Sequence, residues 1–340
     1  MSNTSIVDVG ARKVVVLGGR GFLGTHLVNA LAQSGAAITV FDRPVARHDA
    51  AERDDTFSLQ DIHPLSNVEI VSGDFSTGEG LARALRGAEL VYHLISTTVP
   101  STSNADPIGD VEGNLIGTLR LLELMKAAEV HRIVYVSSGG TVYGNPTVLP
   151  VPETHPLAPL CSYGVVKIAV EHYLQMHASL FGLVANILRV SNPFGTFQHH
   201  IGVQGVIPTF FRRMLDENPI EIWGDGSVVR DYIHVSDVVA ALLRAGARQE
   251  SGTFNIGSGV GHSLNAILDV VQRLVGRTPD VRYLPHRSFD VQKIYLDISK
   301  ARRELSWQPS LSLEAGCTLY WDEVKRSAAS SKKATTGSRR

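Results

Sequence analysis

Lys13-Val-Val-Val-Leu17, running into Gly18-Gly-Arg-Gly21-Phe-Leu-Gly24, is the stretch on which the fold turns. The continuous apolar, β-branched run reads as a strand buried on both faces, and the spacing over Phe22–Gln33 reads as a helix. The glycines between them have mechanical tasks. Gly18 allows a tight turn, Gly21 leaves room for a pyrophosphate, and Gly24 lets the helix approach the strand, with the phosphates over the helix N-terminus. Phe22 and Leu23 complete this candidate cofactor loop. A glycine triplet alone is common. A strand before it, a helix after it and Asp42 ending the next strand, 18 residues past Gly24, together specify a dinucleotide site. Asp42 suits the ribose hydroxyls of NAD and repels the 2′-phosphate of NADP, so NAD is the expected cofactor, although Arg20 or Arg43 is able to meet a phosphate instead. Asp74, after the third strand, reads equally as an adenine contact or as a turn or N-cap residue.

Outward from this unit, strands and helices alternate over the first 190 residues or so. Strand readings at Ala37–Phe41, Val68–Val71, Leu90–Leu94, Arg132–Ser137 and Leu183–Leu188 are separated by helical spacing at Gly80–Leu85, Ile108–Ala128 and Ser162–Phe181. The pattern predicts an α/β fold: a Rossmann-like, doubly wound parallel sheet over 11–191. Past Asn192 glycine and proline become frequent and short strands split the helices. We read 192–324 as a smaller α/β substrate-binding lobe that exchanges some chain with the first. The charged, weakly patterned stretch Arg43–Asn67 reads as a surface loop with one short helical piece.

The chain has 340 residues, 44% of them hydrophobic, enough for a substantial core without disulfide staples. Cys161 and Cys317 are its only cysteines, too few for a disulfide framework or a four-thiolate metal site. No apolar run reaches the roughly 18–20 residues of a membrane span, and the N-terminus has no leader pattern. A cytoplasmic protein that binds neither membrane nor nucleic acid is expected. The net charge of −1 is a cancellation. Residues 325–340 carry six basic and no acidic residues, leaving 26 basic against 33 acidic in the body. This tail is expected to be disordered.

Tyr163 and Lys167 stand four apart on a predicted helix and so share a face. An ammonium beside a phenol favours the phenolate, which makes Tyr163 a candidate base at neutral pH. The preceding strand ends in Ser137-Ser138 at the carboxyl edge of the sheet, where such folds bind ligands. Proton and hydride removal from a carbinol needs this set: nicotinamide, base and hydroxyl.

With these residues in view, the sequence resembles the extended short-chain dehydrogenase/reductase family, and within it the nucleotide-sugar epimerases. The resemblance rests on the glycine loop, Asn114-Leu-Ile-Gly-Thr118, Ser137-Ser-Gly-Gly-Thr-Val-Tyr-Gly144, Tyr163-Gly-Val-Val-Lys167, Asn192-Pro-Phe-Gly195, Gly224 to Val235, and Asn255-Ile-Gly-Ser-Gly259. It implies NAD-dependent epimerisation at C4 of a UDP-hexose, with Tyr163 as proton acceptor and Lys167 holding the nicotinamide ribose. It further implies that Asn192, Arg230, Arg287 and Asp290 grip the UDP, and that two helices from each subunit pair into a homodimer.

One departure stands out. The Ser or Thr that the family places three residues before Val-Tyr-Gly falls on Gly139, so Ser138 or Thr141 stands in for it, or Tyr163 acts directly. Gly140 and Thr141 occupy the places of the Asp-Glu pair of the sugar-nucleotide dehydratases, which disfavours dehydration. The alternatives kept are an NADPH-dependent 4-keto nucleotide-sugar reductase and a catalytically impaired dinucleotide-binding regulator. No metal is expected, since His199-His200 has no third ligand at a suitable spacing. Ile294 stands near the family's pocket-size position.

Overall fold

The computed structural model describes residues 8–44, 66–198, 205–285 and 291–337. Its main element is a seven-stranded parallel sheet. The strands are β1 (Lys13–Leu17), β2 (Ala37–Asp42), β3 (Val68–Ser72), β4 (Leu90–His93), β5 (Arg132–Ser138), β6 (Val184–Val190) and β10 (Gly252–Ile256), in spatial order β10-β6-β5-β4-β1-β2-β3.

The composition of β1 explains the layering. Val14 and Val16 join a core with Leu27, Val28 and Leu31 of α1 (Phe22–Ala32) and with Val238 and Leu242 of α7 (Val235–Ala247). Val15 and Leu17 join the opposite core, with Leu81 of the short α2 (Leu81–Ala84), Leu121, Leu122 and Met125 of α4 (Gly117–Ala127), and Val170 and Leu174 of α5 (Ser162–Phe181). All four β1 residues are fully buried, and each such side chain contributes roughly 1.5–3 kcal/mol. An alternating polar strand would leave one helical layer without a partner. The strand order reverses between β1 and β4, which opens a crevice at their carboxyl ends.

Past Asn192 the chain is shared between two cores. β7 (Asn192–Phe194), β9 (Val229–His234) and β11 (Gly261–Ser263) form one small sheet, and β8 (Ile220–Trp223) pairs with β12 (Val281–Leu284) in another. Phe210 and Phe211 of α6 (Val206–Leu215), Val271 of α8 (Leu264–Val275), and Cys317 and Tyr320 of α10 (Leu313–Gly337) pack against them. α7, β10 and Ala301 of the short α9 (Ser299–Glu304) return instead to the main sheet and its core.

Two elements differ from expectation. The single helix expected over Ile108–Ala128 is three pieces: α3 (Pro107–Asp110), a π-helical turn at Val111–Ile116, and α4. The wider turn carries Asn114, whose amide bonds Thr97 and Asp110 rather than solvent. The basic tail, expected to lack regular structure, continues α10 to Gly337. Its Ala and Lys residues are good helix formers, and the packed start of α10 supplies the nucleus. Most of the expected Arg43–Asn67 loop, and His199-His200, lie outside the described residues.

Candidate active site

The turn after β1 is built by close contact. Gly18 sits at φ +81° and its N–H donates to Phe41 O at 2.8 Å. A Cβ on Gly24 would lie 2.1 Å from Gly18 O and 2.6 Å from Gly19 Cα, so only glycine lets α1 begin this near the turn. Phe22 lies edge-on to His26, and Leu23 packs against the core beneath α1. At the end of β2, Asp42 accepts the backbone N–H groups of Arg20 and Arg43, each at 2.9 Å. The Arg20 guanidinium turns to Arg43 O at 3.1 Å, with its Nε buried and unpartnered among the described residues.

These features fit NAD. The turn and helix N-terminus suit a pyrophosphate, a side chain at Gly21 would meet only Gly18 O at 3.3 Å, and the Asp42 carboxylate stands where a ribose would end. Asp74 Oδ1 accepts from Ser76 N, Ser76 Oγ and Thr77 N. That is the turn geometry, and the Ser76 hydrogen bond holds the carboxyl below its ordinary range.

Across the reversal point, α5 presents Tyr163 and Lys167 to the ends of β4 and β5. The phenol of Tyr163 hydrogen bonds with the hydroxyls of Ser138 and Ser96, while burial pushes it up to about 12 against their pull. Lys167 Nζ donates to Val136 O at 3.0 Å and lies 5.4 Å from the Tyr163 ring centroid. Burial lowers this ammonium to about 8, and the carboxylates of Asp110 and Glu171 oppose the fall. It therefore stays largely charged at neutral pH. Of the two expected stand-ins for the missing hydroxyl, Ser138 meets Tyr163. Thr141 Oγ1 is buried without a hydrogen-bond partner among the described residues.

Ser96, Asp110 and the placing of Asn114 are what the sequence reading missed. Asp110 is fully buried. Its Oδ1 accepts from Thr98 Oγ1 at 2.7 Å and Asn114 Nδ2 at 2.8 Å, and its Oδ2 accepts from Ser162 Oγ at 2.7 Å. The available signal was Ser96-Thr97-Thr98, a polar run at the carboxyl end of an apolar strand beside the reversal point.

On the other side of the crevice, Asn192 Nδ2 donates to Asp231 O at 2.9 Å and Arg230 Nη1 to Val229 O at 2.9 Å. Asp231 is buried and accepts from Ser258 N and Oγ, Gly259 N and Leu296 N, which fixes the floor of this side. A Cβ at Gly140 would meet nothing nearer than Asn192 Oδ1 at 4.0 Å, so open space separates β5 from β7 there. Ile294 is only 2% exposed and belongs to the main core, not to that space. Arg287 and Asp290 lie outside the described residues.

Known proteins share this arrangement. The model of the NAD dependent epimerase/dehydratase family matches residues 14–257. A putative UDP-glucose 4-epimerase of Methanocaldococcus jannaschii is 34% identical over 304 residues, 89% of this chain and 95% of its own length. The crystal structure of UDP-glucose 4-epimerase from Thermotoga maritima with UDP-glucose superposes with a TM-score of 0.85 at 33% identity, covering 93% of this chain and 99% of that one. The Thermus thermophilus UDP-glucose 4-epimerase in complex with NAD gives 0.82 at 31% identity, covering 92% and 99%. Likeness of that extent, spanning both the glycine turn and the Tyr163 cluster, makes the chain a member of the NAD-dependent epimerase/dehydratase family.

Proposed function

We propose that the protein is an NAD-dependent isomerase that interconverts the C4 epimers of a UDP-hexose, with Tyr163 as the acid–base group. The observation that carries this reading is the phenol of Tyr163 between a hydroxyl and an ammonium, opposite the glycine turn across one crevice. The names of the relatives, and their complexes with UDP-glucose and NAD, support it. Bound over Gly18–Gly24, NAD supplies reversible hydride transfer at the sugar carbon.

The chain's own residues handle the proton and the position. Tyr163 takes the proton of the sugar 4-hydroxyl and returns it. Lys167 is held by Val136 O and keeps a positive charge beside the ring, which stabilises the phenolate. Ser138 hydrogen bonds the same oxygen. Asn192, Arg230, Arg287 and Asp290 grip the nucleoside diphosphate, which leaves the sugar free to present either face in the space before Gly140.

The test is incubation with UDP-glucose, UDP-N-acetylglucosamine and UDP-glucuronate separately, followed by anomeric proton NMR. The expected result is conversion of one of them to its C4 epimer with no net reduction of NAD, and a loss of about 10²–10⁴-fold in kcat for Tyr163→Phe. Stoichiometric cofactor consumption would instead make it a reductase. NAD binding without turnover would make it a regulator.

We also propose that it works as a cytoplasmic homodimer. Val165, Tyr173, Met176, Leu180 and Phe181 of α5, with Ile108 and Val111 of the neighbouring helical segment, are exposed apolar residues, and both cysteines are free. A sedimentation mass of two chains is expected, and a monomer would refute the pairing.

A further inference from the structure

We infer that Ser96, at the exit of β4, is a catalytic hydroxyl of this site and replaces the side chain that Gly139 cannot carry. The inference rests on the proposed reading of Tyr163 as the base.

The space for the family's usual hydroxyl is filled. A Cβ on Gly139 would lie 2.6 Å from Leu296 Cδ1 and 2.9 Å from Arg189 O. Leu296 has no room to retreat: it is 1% exposed, and its N–H is bonded to the buried carboxylate of Asp231. The phenol nevertheless has two hydroxyl partners, and they reach it from different strands. Ser138 is half-buried at the end of β5, whereas Ser96 is exposed in the crevice and so is open to an incoming sugar hydroxyl.

The single proton of Ser96 suits both states of the base. At rest Ser96 Oγ donates to Thr98 O at 3.1 Å, which leaves its oxygen to accept from the neutral phenol. With Tyr163 ionised, the same proton turns to the phenolate oxygen. In the transfer, the Ser96 O–H bond breaks as an O–H bond forms on Tyr163. Ser96 takes a proton from the sugar hydroxyl, whose oxygen keeps the electron pair, so Ser96 ends unchanged.

The separation of the two groups is set by one carboxylate. Asp110 accepts from Thr98, two residues past Ser96, and from Ser162, next to Tyr163. Asn114 fixes the residue between, accepting from Thr97 N at 2.8 Å and donating to Thr97 Oγ1 at 2.8 Å. A loop braced on three successive residues presents its hydroxyl with little ordering left to do when substrate arrives.

The test compares Ser96→Ala, Ser96→Thr, Gly139→Ser and Tyr163→Phe in two assays. One is UDP-glucose epimerisation. The other is a carbon-13 NMR titration of tyrosine Cζ in the NAD-loaded protein, with Tyr163→Phe assigning the resonance. The groups facing the phenol are Ser138 and Tyr135 of β5, Asp110 of α3, and Cys161 and Lys167 at the start of α5. All of them are retained in Ser96→Ala.

Ser96→Ala is expected to lower kcat by about 10–100-fold with KM little changed and to move the Tyr163 titration to higher pH. Ser96→Thr is expected to recover most of both. Gly139→Ser, lacking space, is expected to give no gain. An unmoved titration in Ser96→Ala overturns the inference whatever the sugar. An unchanged kcat overturns it while Tyr163→Phe is inactive. Activity surviving in Tyr163→Phe overturns the base reading itself.

Discussion

Single residues in this molecule are decided by contact distance. At Gly24, replacement by Ala puts a methyl 2.1 Å from a backbone oxygen that has no rotamer with which to yield. The start of α1 must then move off the turn, and the anion site at its N-terminus moves with it. Gly24→Ala is expected to weaken NAD binding at least about tenfold and to cost about 1–3 kcal/mol of stability, read by calorimetric titration and thermal melting. Unchanged affinity would mean that the helix N-terminus does not hold the cofactor. This residue was legible in the sequence because its partners, Gly18 and Gly19, are six and five positions away. The same holds for Tyr163 and Lys167, one helical turn apart. Ser96 and Asp110 were not legible as members of that cluster. What joins them to Tyr163 is the adjacency of β4 and β5 and a helix that crosses their ends, and no local spacing records it. Gly139 was visible as a departure, but the leucine that makes it obligatory comes from a distant segment.

At the scale of elements, the π-helical turn at Val111–Ile116 shows where periodicity stops being informative. Apolar spacing predicts one helix because the residues on both sides of the turn face the same sheet. The widening is driven by polar groups, Asp110 and Asn114, that must reach Thr97, Thr98 and Ser162. Asp110 also acts through charge. It supports the protonated form of Lys167 and raises the phenol of Tyr163. Asp110→Asn removes both effects, so Lys167 deprotonates at lower pH and Tyr163 ionises at lower pH. If the phenol governs the acid limb of the kcat/KM profile and the lysine the alkaline limb, both limbs shift toward acid and the optimum follows. The rearranged hydrogen bonds should cost about 1–3 kcal/mol. A lowered melting temperature with an unmoved pH optimum would reduce Asp110 to a purely structural residue.

For the whole molecule, buried polar groups tie the layers together and leave a signature in acid. Arg189 of β6 pairs with Glu171 of α5 at 2.6 Å, Ser137 of β5 donates to the same carboxylate, and Tyr143 links Arg189 to Asn255 of β10. Those groups keep their charge and partners. His93 and His234 are different, because the fold holds them neutral. Burial, aided by the charge of Lys167, lowers His93 to about 3, with Nε2 on Thr118 Oγ1 at 2.9 Å. Burial lowers His234, beside Ser236, to about 4. In the unfolded chain both titrate near 6.5. The unfolded state therefore binds more protons over the interval between these values, and linkage makes the folded state lose ground as pH falls. The stabilisation is complete above about 6.5 and declines through the folded values, by up to about 1.4 kcal/mol per pH unit for each histidine. Urea unfolding at pH 7.5, 6 and 5 should show a midpoint that is flat at first and then falls. His234→Gln should remove about half of that slope whatever it does to stability at pH 7.5. A midpoint that stays level from pH 7.5 to 5 would show that these rings accept protons without unfolding, and that the core around β4 and the start of α7 is wetter than its packing indicates.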